Sequence, residues 1–193
     1  MNSDGTAGHV VNRAGLPALY PTHAHEPVFW EALGRAIATF GFLEEVLLKA
    51  IFAITATTPC EEDKIEAAYQ AWVPTLTRSL SDTLGNLIDT YGKVVRNSGN
   101  STIDDLDVLL EDLRKACKIR NAICHGSWSA PDSDGRSIPF YVNKQGVIFD
   151  TPVGVSFLVL LRKSTTDLAC SVIDAVTQAG WQFPSSSGPG RVI

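Results

Sequence analysis

The sequence lacks the usual signatures of cofactor and metal chemistry. It has no Gly-rich phosphate loop, no Gly-x-Ser-x-Gly elbow and no zinc-finger spacing, which argues against a P-loop nucleotidase, an α/β-hydrolase and a structural zinc site. It has no Glu-x-x-His repeats, so a carboxylate di-iron bundle is excluded. Its four cysteines, Cys60, Cys117, Cys124 and Cys170, form no Cys-x-x-Cys pair. Three lie in helical patterns, where a thiol acts as a small apolar residue, and the expectation is a reduced, cytoplasmic protein. Residues 1–15 carry no apolar core of the signal-peptide kind. The longest apolar runs, such as 153–161, are too short to span a bilayer. Positive charge is also short. The net charge is −5 and the pI about 5.3, which argues against a broad, non-specific nucleic-acid binder but leaves room for a local basic site. His23-Ala24-His25 with Glu26 lacks a third ligand at helical spacing, so neither metal nor cofactor is expected.

What is present is an ordinary amount of apolar sequence, 45% of 193 residues, enough for one core. Residues 1–25 have no period and read as an irregular arm; 26–182 read as one helical domain, and 183–193 as a flexible tail. The spacing predicts a first helix from Glu26 or Pro27 to Thr55, with an inner stripe of Trp30, Leu33, Ile37, Phe40, Leu48 and Ile51. Gly34 and Gly41 would let a neighbour approach closely. A second helical region runs to about Val95 through Ile65, Tyr69, Trp72, Leu76, Leu80, Leu84, Leu87 and Tyr91, with a kink or a junction expected at Pro74. Asn97 to Ser101 reads as a loop, Thr102 as a cap, and Asp104 and Asp105 as the first turn of the next helix. After it, 137–150 reads as a small β-hairpin turning at Asn143-Lys144-Gln145-Gly146. Thr151 and Pro152 suit the start of a last helix ending at Gly180. The fold class is therefore all-α, four or five helices, with a hairpin insert before the last one.

The chain is organised around Lys118 to Trp128. Apolar residues recur at Leu106, Leu109, Leu110, Leu113, Ala116, Cys117 and Cys124, the spacing of an amphipathic helix. Arg120 falls inside that stripe. Asn121 lies on its flank, His125 follows one turn later, and Gly126 reads as a left-handed stop. On the first helix, Glu44 occupies a position where the spacing asks for an apolar residue. Burying a charge unpaired is costly. Either Glu44 meets Arg120 or it reaches solvent at a shallow edge.

An Arg, a polar residue, a short spacer and a His at a helix end resemble the signature of the HEPN superfamily, carried here by Arg120, Asn121 and His125 with four residues between Arg and His. The resemblance is sharp only over Arg120 to Gly126; the hairpin insert departs from a minimal bundle. It implies a metal-independent endoribonuclease, often a toxin or defence protein, working as a homodimer with a composite cleft. It equally admits an inactive member that binds RNA or nucleotides, or that partners an antitoxin or a nucleotidyltransferase-like protein.

The residues suit that chemistry. Imidazole titrates near neutrality, so His125 can act as acid or base. Arg120 presents a fork of donors that matches a phosphate, and Asn121 can orient the imidazole or bind phosphate. Arg114, Lys115 and Lys118 make the preceding turns locally basic, and Trp128 is placed to stack on a base. Each has a plainer reading: His125 as a helix cap, Arg120 as a structural partner of Glu44, Lys115 and Lys118 as a solvated face, Trp128 as core cover. The competing function is a non-catalytic helical module that dimerises or binds a partner.

Overall fold

The computed structural model describes residues 10–57, 60–98 and 105–185. Five α-helices make up the fold: α1 Pro27–Ala56, α2 Ile65–Ser79, α3 Leu84–Asn97, α4 Leu106–His125 and α5 Val155–Gln178. Short 3-10 turns lie at Arg13–Gly15 and Glu62–Lys64. Pro27 opens α1, where its missing N–H costs nothing. α1 is the central helix, packed most extensively on α5 and next on α3, with α4 laid against α3 and α5.

That centrality explains where the α1 stripe was drawn too narrowly. Phe29, Ala32, Leu33, Ala36, Phe40, Leu43, Val46, Leu47, Ala50 and Ile51 are all buried, whereas Ile37 keeps 38% of its surface and Leu48 is half-buried. A helix covered from several sides buries more than one stripe, and its alanines are where neighbours come close. Gly34 and Gly41 do not have that role: both are exposed, and a Cβ at either meets nothing within 4 Å.

The second helical region breaks at Leu80–Thr83, not at Pro74, which α2 carries internally. Thr83 caps α3 by accepting from the Asn86 N–H at 3.5 Å. α2 packs thinly. Ile65, Tyr69 and Leu80 are exposed, and α2 is tied to α1 by the Trp72 indole donating to Thr55 Oγ1 at 2.9 Å. The expected cap at Thr102 and Asp104 lie outside the described residues; Asp105 is the α4 N-cap, in left-handed backbone.

On α3, Tyr91 is fully buried, and its hydroxyl has no hydrogen-bond partner among the described residues. Burial pushes its pKa up to about 12, from 10.0. The raised folded-state value means that stability is complete below about pH 10 and lost as pH climbs through 12. Tyr91→Phe removes an unsatisfied polar atom. It is expected to hold or raise the melting temperature at pH 7, and its advantage over the parent should widen in melts between pH 10 and 12.

Between α4 and α5 no continuous strand forms among the described residues. The connector instead makes isolated antiparallel bridges, Ser127 with Phe140, Ser137 with Val153 and Val142 with Ile148. The turn at 143–146 is present, with Asn143 N–H donating to Val147 O at 3.0 Å and Gly146 at φ 78°. Gly154, rather than Thr151, is the α5 N-cap. α5 ends in a Schellman arrangement: Gly180 at φ 85°, its N–H on Thr177 O at 3.0 Å, and the Trp181 N–H on Val176 O at 3.2 Å. Phe183, assigned to the tail by sequence, is buried in the core.

Candidate functional site

The last two turns of α4 present the Arg120 side chain to α1. Its Nη2 donates to Glu44 Oε1 at 3.3 Å and its Nη1 to Asn121 Oδ1 at 3.2 Å. Asn121 Nδ2 reaches back one turn to Cys117 Sγ at 3.9 Å. The side chains of Arg120 and Glu44 keep 27% and 30% of their surface, so the pair sits at the rim of the core, partnered yet reachable from solvent. An exposed pair couples by up to about 1 kcal/mol, and removing one partner of a fully buried pair costs about 3–5. A rim pair should couple by about 1–2 kcal/mol, with solvent screening accounting for the discount. Glu44→Ala, Arg120→Ala and the double variant, melted side by side, are expected to show the double variant losing less than the two singles together. Strict additivity would show that the pair is not engaged.

Cys117 and Cys124 flank Arg120 on the same helix. Burial raises both thiol pKa values, partly offset by the Arg120 charge. Both therefore stay protonated at neutral pH and act as apolar neighbours of the guanidinium.

His125 is the last residue of α4 and is exposed. The helix does not stop as expected. Gly126 has φ −74° and ψ 147°, ordinary extended backbone rather than a left-handed cap. The need for glycine is steric: a Cβ there would lie 2.5 Å from Ala122 O and 2.7 Å from Pro139 Cβ. The connector crosses close over Gly126 at the helix end, and Ala122 and Ile123, outside the predicted stripe, are buried as well. Gly126→Ala is expected to cost about 1–3 kcal/mol through this overpacking. A thermal melt reads it, and an unchanged melting temperature would contradict the contact.

The same connector is pinned from the other side. His25 is buried, with Nε2 3.1 Å from Ser129 O and 3.0 Å from Ser137 Oγ. It stacks on Phe29 at 4.0 Å. Trp128 packs edge-on against Phe29 at 5.0 Å, His25 at 6.1 Å and Trp30 at 6.4 Å, and Trp30 Nε1 donates to Thr22 O at 2.8 Å. The end of the arm, the first turn of α1 and the chain just after His125 thus interlock. Trp128 is half-buried in that cluster, which occupies much of the ring offered for stacking.

The basic turns are largely neutralised. Lys115 bonds Glu111 and Asp112 at 3.0 and 3.1 Å, and Arg114 bonds Asp89 of α3 at 2.9 Å. Carboxylates one turn back, and one across the helix pair, remove the patch that a linear reading of the basic residues suggests. Lys118 differs: with Asn121 it lines a cleft of about 460 Å³ whose far wall is the 141–150 turn, including Tyr141 and Lys144. Tyr141 and Lys144 were not singled out from sequence; the Asn-Lys-Gln-Gly turn signal locates Lys144 and the hairpin pattern before it locates Tyr141, but neither shows what they face.

Among the described residues no group of three or more His, Cys, Asp or Glu side chains is placed to hold a metal ion, and no helix is long and apolar enough to cross a membrane. The sequence matches no known family model, and no curated protein or solved structure proved similar to it.

Proposed function

We propose that this protein is a metal-independent endoribonuclease of HEPN type that cleaves single-stranded RNA, with Arg120, Asn121 and His125 at the site and Glu44 in support. One observation carries the reading: the guanidinium is held by Glu44 and Asn121 at the core rim, with an exposed imidazole at the end of the same helix. A phosphate-binding cation and an imidazole that can serve as acid or base, five residues apart near one helix end, are the two components that phosphodiester transfer without metal requires, and no hydrogen bond joins Arg120 to His125 among the described residues. In that reaction the 2′-oxygen attacks phosphorus as its proton passes to a base. The bond from phosphorus to the 5′-oxygen breaks as an acid protonates that oxygen. The products are a 2′,3′-cyclic phosphate and a 5′-hydroxyl. One imidazole serves one proton transfer at a time, so a homodimer that brings two copies of His125 to one cleft supplies both.

The test is incubation of the purified protein with single-stranded RNAs in EDTA, followed by analysis of the ends. Cyclic phosphate ends are expected. Inertness across varied RNAs, at concentrations where the protein is dimeric, would remove the reading.

A second reading, a non-catalytic helical module for dimerisation or for binding an antitoxin or nucleotidyltransferase-like partner, is favoured by the Glu44–Arg120 ion pair itself. A guanidinium already engaged by a carboxylate has a structural role without any substrate. That reading expects coupled stability and no RNA cutting.

A further inference from the structure

A cleft of about 460 Å³ lies between α4 and the 141–150 turn. Its floor is Lys118 and Asn121, one helical turn apart. Asn121 is also the residue whose Oδ1 accepts from Arg120 at 3.2 Å. Anything seated in the cleft therefore lies against Asn121, the one member of the proposed site that lines it; Arg120 and His125 do not.

Charge comes next. The lining carries two ammonium groups, Lys118 and Lys144, and one carboxylate, Asp150, in a chain whose net charge is −5. Unlike Lys49, Lys64 and Lys115, these two lysines are in no ion pair among the described residues. The remaining lining includes two half-buried aromatic rings, Tyr141 and Phe149. Partial burial fixes a ring and leaves part of it open, which suits stacking.

The far wall is held in place before any ligand arrives. Asn143 Oδ1 accepts from Gln145 N–H and Val147 N–H, both at 2.9 Å, and the Gly146 N–H donates to Asn143 O at 3.0 Å. Lys144 therefore rides on a turn closed by its neighbour's side chain. The volume, about 460 Å³, falls in the range of small-ligand sites.

Ammonium groups beside aromatic rings suit an anion that carries a flat ring, and the adjoining motif orients it. We infer that the cleft binds the nucleotide next to the scissile phosphate of a single-stranded RNA, with Lys118 and Lys144 on the phosphate, Tyr141 against the base and Asp150 accepting from a base amino group. The orientation rests on the ribonuclease reading; the binding is measurable without it.

Binding is read by fluorescence anisotropy of a fluorescein-labelled ten-nucleotide single-stranded RNA in EDTA, using full-length His125→Ala as the parent. In that background Tyr141→Ala is expected to weaken binding about tenfold. Lys144→Glu should weaken it by at least as much and lower the slope of log affinity against log salt by about 1. Lys163→Glu, an exposed change on α5 outside the cleft, should leave affinity within about twofold. Lys144 is exposed at a turn, so its variant keeps the assay decisive even where Tyr141→Ala weakens folding. Unchanged affinity in both cleft variants, an equal loss in Lys163→Glu, or no binding by the parent overturns the inference, even if the wild type cuts RNA. Selective loss in the cleft variants with an uncutting wild type keeps the cleft as an RNA-binding site and removes the ribonuclease reading together with the orientation that rests on it.

Discussion

His125→Ala is expected to lower the rate of RNA cutting by about a hundredfold to ten-thousandfold, the range associated with loss of a positioned general acid or base. The same variant should melt within about one or two degrees of the wild type. His125 is exposed at the helix end, and nothing hydrogen-bonds its imidazole among the described residues. A surface truncation of that kind changes stability by about 0.5 kcal/mol or less. Activity and stability are thus expected to separate cleanly at this residue. They should not separate at Arg120, whose guanidinium holds Glu44 and Asn121: Arg120→Ala should lose both. Equal cutting by His125→Ala and the wild type, at equal protein, would show that the imidazole takes no part in the chemistry.

Phe40→Ala is expected to cost about 3–5 kcal/mol, enough to unfold a large share of the molecules in a marginally stable domain. Phe40 is 1% exposed on the central helix. Its removal leaves a void in the core cluster to which α1 contributes most of its buried face. Ile37 is one turn away and belongs to the same predicted stripe, yet it is 38% exposed. Ile37→Ala should cost about 1 kcal/mol or less. Denaturant titration of the two variants reads the contrast. Similar losses at both positions would mean that α1 is rotated about its axis from the orientation described, or that Ile37 is covered by a second chain.

Much of the helical layout was legible from apolar spacing. α1 begins and ends within a residue of where Pro27 and the apolar period place it, because a proline start and a long period are local signals. The charge at Glu44 was legible as an anomaly for a similar reason: one carboxylate interrupting an apolar repeat is visible without any partner. The break at Leu80–Thr83 was missed because Pro74 was the louder signal. An exposed helix accommodates a proline, whereas the cap at Thr83 decides where the next helix starts. The left-handed reading of Gly126 failed because a glycine after a helix has two uses, and only the crossing connector shows that closeness to Ala122 and Pro139 is the one required here.

The candidate site divides along the same line. Sequence by itself determined the chemical types: a cation, an amide and an imidazole within six residues at the end of an amphipathic helix, and an acid misplaced on another. These follow from residue identity and helical period, which are properties of the local chain. Only the tertiary structure decided that Arg120 and Glu44, 76 residues apart, meet at 3.3 Å, that Lys115 and Arg114 are already neutralised, and that Lys118 looks across a cleft at Lys144. A helical period states which face a side chain occupies, but the partner on that face is set by how helices and connectors pack, and no single stretch of chain contains that information.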